Sequence, residues 1–350
     1  MVLRIVHKEE EQESYCMNKD DNNQNLYRQF PNWLEWATHT DKFKFFEKKY
    51  DSYDFLMEYA DVFNIYPART EQPNPFSPKV MYIIDTLNKF DVKYTVDIFG
   101  YDGYKVFWSN TADSHKLVNI IVEPNPNATG PAIVFCAHHD VANPRSNNCQ
   151  DNGASVCNLL KLTNLIKESK ENLQRTIILF SDCEESGAKG AGKFAKDSTK
   201  TDNPNIIKHN KFGEISGVVN LELTGLGDVI WTDCHNNEQD ITLHQKLEAT
   251  KKEKLIKLST PPSDVIAFRT SKFPALCIGI LPKEDLKDRK TWRLCHSMED
   301  TIEKCNRKNM EDFTNFLLDL TKIETTENQN TNKEHDTDNG ANKTAGTMQT

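Results

Sequence analysis

Thr176-Ile177-Ile178-Leu179-Phe180-Ser181-Asp182-Cys183-Glu184-Glu185-Ser186-Gly187-Ala188-Lys189-Gly190-Ala191 is the stretch from which the fold is read. Its first five residues are an unbroken apolar run bounded by polar positions, which predicts a buried β-strand. The small residues after Glu185 predict a loop that enters a helix. Two adjacent carboxylates, Glu184 and Glu185, stand at the junction. Like charges side by side repel, so a strand end that keeps both needs something to hold them. A bound cation does this if one carboxylate ligates it and the other is left to move protons. The plain alternative is a solvated loop.

Working outward, further apolar runs predict strands at 94–98, 105–109, 117–122, 132–137, 217–223, 228–232 and 275–281. Between and around them, helical spacing predicts helices over 80–90, 153–167, 189–197, 242–251 and 308–323. Strands that read as continuous apolar runs and alternate with helices are covered on both faces. The expected fold is therefore α/β, a three-layer α/β/α sandwich around a mostly parallel mixed sheet. Upstream, Phe43, Phe46, Tyr50, Tyr53, Tyr59 and Phe63 recur at helical spacing between 32 and 66 and predict an amphipathic helical region. Residues 1–28 are polar and predict a poorly ordered segment, 29–323 a single domain that includes the N-terminal helical region, and 324–350 a disordered tail.

The net charge of -9, with no basic cluster interleaved with aromatics, argues against nucleic acid as a partner. No apolar stretch approaches the roughly 20 residues needed to span a bilayer. The first residues hold no run suited to a signal peptide, so a cytoplasmic location without membrane attachment is expected. Nine cysteines, irregularly spaced and several of them inside strand-like runs, fit buried free thiols in a reducing compartment.

The ends of the predicted strands carry the chemistry. The run at 132–137 ends in His138-His139-Asp140, and Asp151 follows where the next helix begins. The run at 176–180 leads to Glu184 and Glu185, the run at 217–221 to Glu222, and a later segment carries His296. In an open α/β sheet the carboxyl ends of neighbouring strands meet in one crevice. Imidazole nitrogen and carboxylate oxygen together suit zinc. Asp140, two positions from His138, is placed to accept the other ring N–H of that histidine and fix its tautomer.

The motifs Ala137-His138-His139-Asp140, Asp151-Asn152-Gly153-Ala154-Ser155, Glu184-Glu185-Ser186-Gly187, Asn220-Leu221-Glu222-Leu223-Thr224-Gly225, Ser263-Asp264 with Phe268, and His296-Ser297-Met298-Glu299-Asp300-Thr301 resemble, in this order, those of the M28 family of di-zinc peptidases, whose clan includes glutaminyl cyclases. The resemblance spans about residues 66–323. It implies two zinc ions, one on His138 and Glu222, the other on Glu185 and His296, with Asp151 between them. It also implies Glu184 as general base toward a metal-activated water and a cis peptide at Asp151–Asn152, and Asp140, which fixes His138, is expected with Glu184 among the catalytic residues. Asp264, Phe268 and Arg269 are the expected substrate-binding residues. The implied activity is that of an exopeptidase, an aminopeptidase acting on peptides with a free N-terminus. Three alternatives stay open: a single-zinc glutaminyl cyclase, a carboxypeptidase of the related M20 group, and a non-catalytic binding module. The chain departs from the pattern twice. Glu222 stands where the family's aminopeptidases usually carry Asp, and no Tyr follows Tyr104 to serve the oxyanion, which leaves His139, Arg269 or a metal for that work.

Overall fold

The computed structural model describes residues 13–17, 50–61, 77–101, 115–142, 146–203, 205–233, 238–251 and 255–323. The strand expected at 105–109, the tail 324–350, and most of 1–28 and of the aromatic-rich region 32–66 lie outside them. Strands β1 (Glu13–Met17), β2 (Tyr94–Tyr101), β3 (His115–Val122), β4 (Ala132–His138), β5 (Thr176–Ser181), β6 (Ser198–Lys200), β7 (Ile207–His209), β8 (Gly213–Leu221), β9 (Val229–Thr232), β10 (Ile256–Lys257) and β11 (Ala275–Leu281) form one mixed sheet. Its order is β1-β2-β3-β5-β4-β8-β11-β9-β10, with β7 on β8 and β6 on β7. The centre, β5-β4-β8-β11, is parallel throughout. Antiparallel ladders flank it on both sides.

The helices are α1 (Ser52–Ala60), α2 (Pro78–Phe90), α3 (Ala154–Glu168), α4 (Lys189–Lys196), α5 (Glu238–Lys251), α6 (Val265–Thr270) and α7 (Arg307–Leu320). Every residue of β4, β5 and β11 is buried, because both faces of the sheet are covered. Alternate side chains go to opposite layers. Ile133, Phe135, Ile178 and Phe180 join the core under α1, α2, α3 and α7. Val134, Cys136, Ile177 and Leu179 join the core under α4 and α6. Burying each such apolar side chain contributes about 1.5–3 kcal/mol, so the unbroken runs both announce the central strands and stabilise them.

Local chemistry sets the helix ends. Ser77 caps α2 by accepting from the Val80 N–H at 3.2 Å, with Pro78 at the first helical position. Asp51 and Asp54 form a reciprocal capping box at α1. Arg307, at the start of α7, pairs with Asp54 at 2.8 Å and with Asp51, tying the two helices together. Among the described residues no helix is long and apolar enough to cross a membrane.

Candidate metal centre

Parallel β4, β5 and β8 all deliver their carboxyl ends to the same edge of the sheet. His138 is the last residue of β4 and is 1 % exposed. Its Nε2 lies 3.2 Å from Asp151 Oδ1 and 3.7 Å from Glu222 Oε2. His296 comes from the loop before α7, and its Nε2 lies 3.2 Å from Asp151 Oδ2 and 2.9 Å from Glu185 Oε2. Two groups result, His138 with Asp151 and Glu222, and Asp151 with Glu185 and His296. In each, the potential ligand atoms all fall within 4.8 Å of one another. Asp151 belongs to both, one carboxylate oxygen toward each histidine. The residues singled out from the sequence as potential ligands are thus brought together around one shared carboxylate.

Backbone contacts hold the cluster in place. The Asp140 carboxylate accepts from Glu184 N at 3.0 Å and Glu185 N at 3.1 Å, so the β4 end pins the loop after β5. The same carboxylate lies 3.2 Å from His138 Nδ1, which favours the tautomer that leaves Nε2 free for the cluster. Asn152 donates to the Leu221 carbonyl at 2.8 Å, and Asn220 to Glu222 Oε1 at 3.2 Å. Glu185 Oε1 accepts from the Ala142 N–H at 3.1 Å. The Asp151–Asn152 peptide is cis. Cys183, Leu223 and His296 adopt left-handed backbone conformations with φ of 60°, 56° and 61°. Such strain costs about 1–3 kcal/mol per residue and collects where a site demands a particular geometry.

Asp300 is a participant to which the sequence alone assigns no role. It is buried and accepts from Gln150 N at 2.6 Å and Asp151 N at 3.1 Å. It grips the backbone of the shared carboxylate directly. Its position four residues after His296 was the available signal.

The electrostatics are those of an acid-rich pocket whose counter-charge comes from its two histidines. Burial pushes Glu184 up to about 10, against the pull of His138, and the neighbouring charges of Glu222, Asp264 and Asp140 add to the rise. Burial and Asp151 push Glu185 up to about 7. Burial likewise raises Glu222. Burial favours the neutral form of Asp151 too, but the bonds to His138 and His296 outweigh it and hold the carboxyl below the usual range. The bond to Asp151 leads in raising His296 to about 9. Burial opposes charge on His138, yet Glu222 and the other carboxylates around it raise its pKa well above the usual value. Protons stand here where a divalent cation would neutralise the cluster. The donor set, imidazole Nε2 atoms converging on carboxylate oxygens, fits zinc.

Not every expected residue reaches the site. Asp264 lies close enough to the cluster to interact electrostatically with His138 and Glu222. It is 0 % exposed, and its Oδ2 accepts from Ser181 Oγ and from Cys136 Sγ at 3.6 Å. Phe268, expected to bind substrate, is fully buried against Phe194 and Phe273. Arg269, expected there or at the oxyanion, is occupied by a bidentate pair with Asp233 at 2.8 and 3.0 Å and by the Ala275 carbonyl. Core packing and a buried ion pair thus engage both side chains. His139 is buried with its Nε2 donating to the Val118 carbonyl at 2.8 Å.

The sequence model of Peptidase family M28 matches residues 119–321, which include every residue of the cluster. No curated protein sequence matches the chain. Among solved structures, the chain is similar to the glutaminyl cyclase of Tannerella forsythia, at 13 % identity and a TM-score of 0.59 over 78 % of this chain and 98 % of that one. It is similar to the Bacteroides thetaiotaomicron glutaminyl cyclase bound to N-acetylhistamine, at 16 % identity and a TM-score of 0.57 over 79 % and 99 %. It is also similar to the LapA aminopeptidase of Legionella pneumophila, at 14 % identity and a TM-score of 0.53 over 77 % and 69 %.

Proposed function

The chain belongs to Peptidase family M28, and from that premise we propose that it is a metal-dependent exopeptidase, an aminopeptidase that cleaves peptides from a free N-terminus. The observation that carries this reading is the sharing of Asp151 by two His/carboxylate groups, with Glu184 beside them. His138, Asp151 and Glu222 would hold one zinc ion, and Asp151, Glu185 and His296 the other. When bound, zinc supplies Lewis acidity and lowers the pKa of a water to about 7.

The chain's own residues do the rest. Glu184 Oε takes the proton of the attacking water and returns it to the leaving amine. Its neighbour Glu185 is committed through Oε2 to His296 and through Oε1 to Ala142 N, which separates the two adjacent carboxylates into a base and a ligand. Asp140 orients both partners at once, His138 through Nδ1 and Glu184 through its backbone N–H. Asp151, kept ionised by its two histidines, is the anion on which the assembly is centred.

The test is Glu184→Gln in protein reconstituted with zinc. Metal content and thermal stability should match the wild type, while hydrolysis of aminoacyl p-nitroanilides drops by at least a thousandfold. Full turnover in the metal-loaded variant would remove Glu184 as the base. A second reading, glutaminyl cyclisation, has one observation in its favour: the fold covers nearly the whole of the glutaminyl cyclase chains but about two-thirds of the aminopeptidase. Incubation with Gln-initiated peptides separates the two. Release of free glutamine supports the aminopeptidase, and loss of ammonia with the peptide intact supports the cyclase.

A further inference from the structure

On the α4 face of the sheet, away from the strand ends that carry the metal cluster, a half-open cavity of about 270 Å³ lies between β2, α4 and the β6–β8 hairpins. Its walls include Asp97, Phe194, Asp197, His209, Lys211 and Phe212, none of which belongs to the metal centre. At this size it sits just below the range of cavities that take drug-sized ligands, so it suits a small solute.

Two buried polar groups in its lining, His209 and Asp97, are incompletely bonded among the described residues. His209 is 4 % exposed and packed between Phe194 and Phe212, with ring centroids 4.4 and 4.9 Å away. Its Nδ1 accepts from Lys211 N at 3.1 Å and Phe212 N at 3.2 Å. Nδ1 is therefore unprotonated and the proton of the neutral ring is on Nε2. Burial holds the imidazole down at about 4, which keeps the ring neutral. Nε2–H makes no hydrogen bond of good geometry among the described residues, although the Phe194 backbone lies near enough to raise the ring's pKa. Asp97, in the middle of β2, is 6 % exposed and turned to the same face, and its Oδ1 also has no partner among the described residues. A buried acceptor left open beside a poorly aligned buried donor in one crevice is costly unless something fills it. The charges around them have both signs: burial raises Asp97, Lys193 and Lys211 pull it down and Asp197 adds to the rise, and Asp197 is itself paired with Lys193 at 2.8 Å.

We propose that this crevice is a second ligand site, built for a small zwitterion of the free α-amino acid class. The ammonium of the ligand would donate to Asp97 Oδ1. Its carboxylate would accept from His209 Nε2–H and lie near Lys211. The rings of Phe194 and Phe212 would cover its aliphatic part. The proposal rests on the crevice alone and stands independently of the reaction at the metal centre.

Isothermal titration of the full chain with L-alanine tests it, using ethylamine and propionate as single-charge controls. The titration is run in EDTA so that the metal centre cannot contribute. Saturable L-alanine binding is expected, with each control at least tenfold weaker. Asp97→Asn should weaken L-alanine at least tenfold and Lys211→Met severalfold, while Glu184→Gln leaves the affinity unchanged. Absence of binding in EDTA, which would mark a crevice filled by water only, overturns the proposal. So does unchanged affinity in a folded Asp97→Asn variant, or ethylamine binding as tightly as L-alanine.

Discussion

At the scale of single residues, the cluster depends on carboxylates whose work differs although their chemistry is the same. Asp300 touches no candidate ligand atom but holds the backbone at Gln150 and Asp151 by accepting the N–H of each. Asp300→Asn puts an amide group where one of those N–H donors needs an acceptor, leaving a buried donor open. A stability loss of about 1–3 kcal/mol is expected, and zinc affinity should fall by about 10–100-fold. Competition against a chelator reads the affinity, and a folded variant that binds zinc like the wild type would assign Asp300 a purely structural role. His138, Glu185 and Glu222 were legible in the sequence because each stands at or shortly after an apolar run that marks a strand, whereas Asp151 and His296 were legible only through their motifs. Phe268 and Arg269 were not legible as core residues. Their burial is decided by Phe273, Phe194 and Asp233, partners on other elements that no local pattern announces.

At the scale of elements, β11 shows how tightly the site is packed against the sheet. A Cβ added at Gly279 would fall 1.9 Å from the Glu222 carbonyl and 2.6 Å from the Trp231 ring. Neither neighbour is a flexible chain end, so Gly279→Ala must displace the segment that carries Glu222. We expect a loss of about 1–3 kcal/mol or more, read by urea unfolding, and weaker metal retention with it. An unchanged unfolding midpoint would contradict the packing described. Elements buried on both faces, such as β4, β5 and β11, could be read from their composition. The β6–β7 hairpin could not, since Ser198–Lys200 and Ile207–His209 are three residues each and mostly polar. Helix α6 was missed for a similar reason, having only six residues. Helix α5 begins at Glu238, ahead of the expected 242, because Asp240 is buried against the Ala275 N–H and not turned to solvent.

At the scale of the whole molecule, the acid-rich cluster couples folding to pH. In metal-free protein the folded pKa values of Glu184, at about 10, and of Glu185 and Asp264, each at about 7, lie above those of the unfolded chain. His296, at about 9, is also raised. Each raised group binds more protons folded than unfolded, so its contribution is complete at low pH and is lost as pH climbs through the folded value. His209, lowered to about 4, opposes this trend only below its unfolded value of about 6.5. Lys79 and Lys89, each lowered to about 8, oppose it only above that pH. The metal-free Tm should therefore fall between about pH 6.5 and 8. Saturating zinc, which binds the deprotonated ligands, should flatten or reverse the slope. Thermal unfolding followed by circular dichroism, with EDTA or with zinc, gives both curves; a metal-free Tm that climbs over this interval would contradict the linkage.

The two histidines of the cluster also differ in their access to solvent: His138 is sealed at the end of β4, whereas the side chain of His296 is 56 % exposed on a loop. If both groups hold zinc, as proposed, dialysis would strip the position at His296 before the one at His138 and leave a singly loaded species as a distinct stage. Preparations that differ only in how long they met chelator would then differ in specific activity, and brief zinc supplementation would restore the lower one.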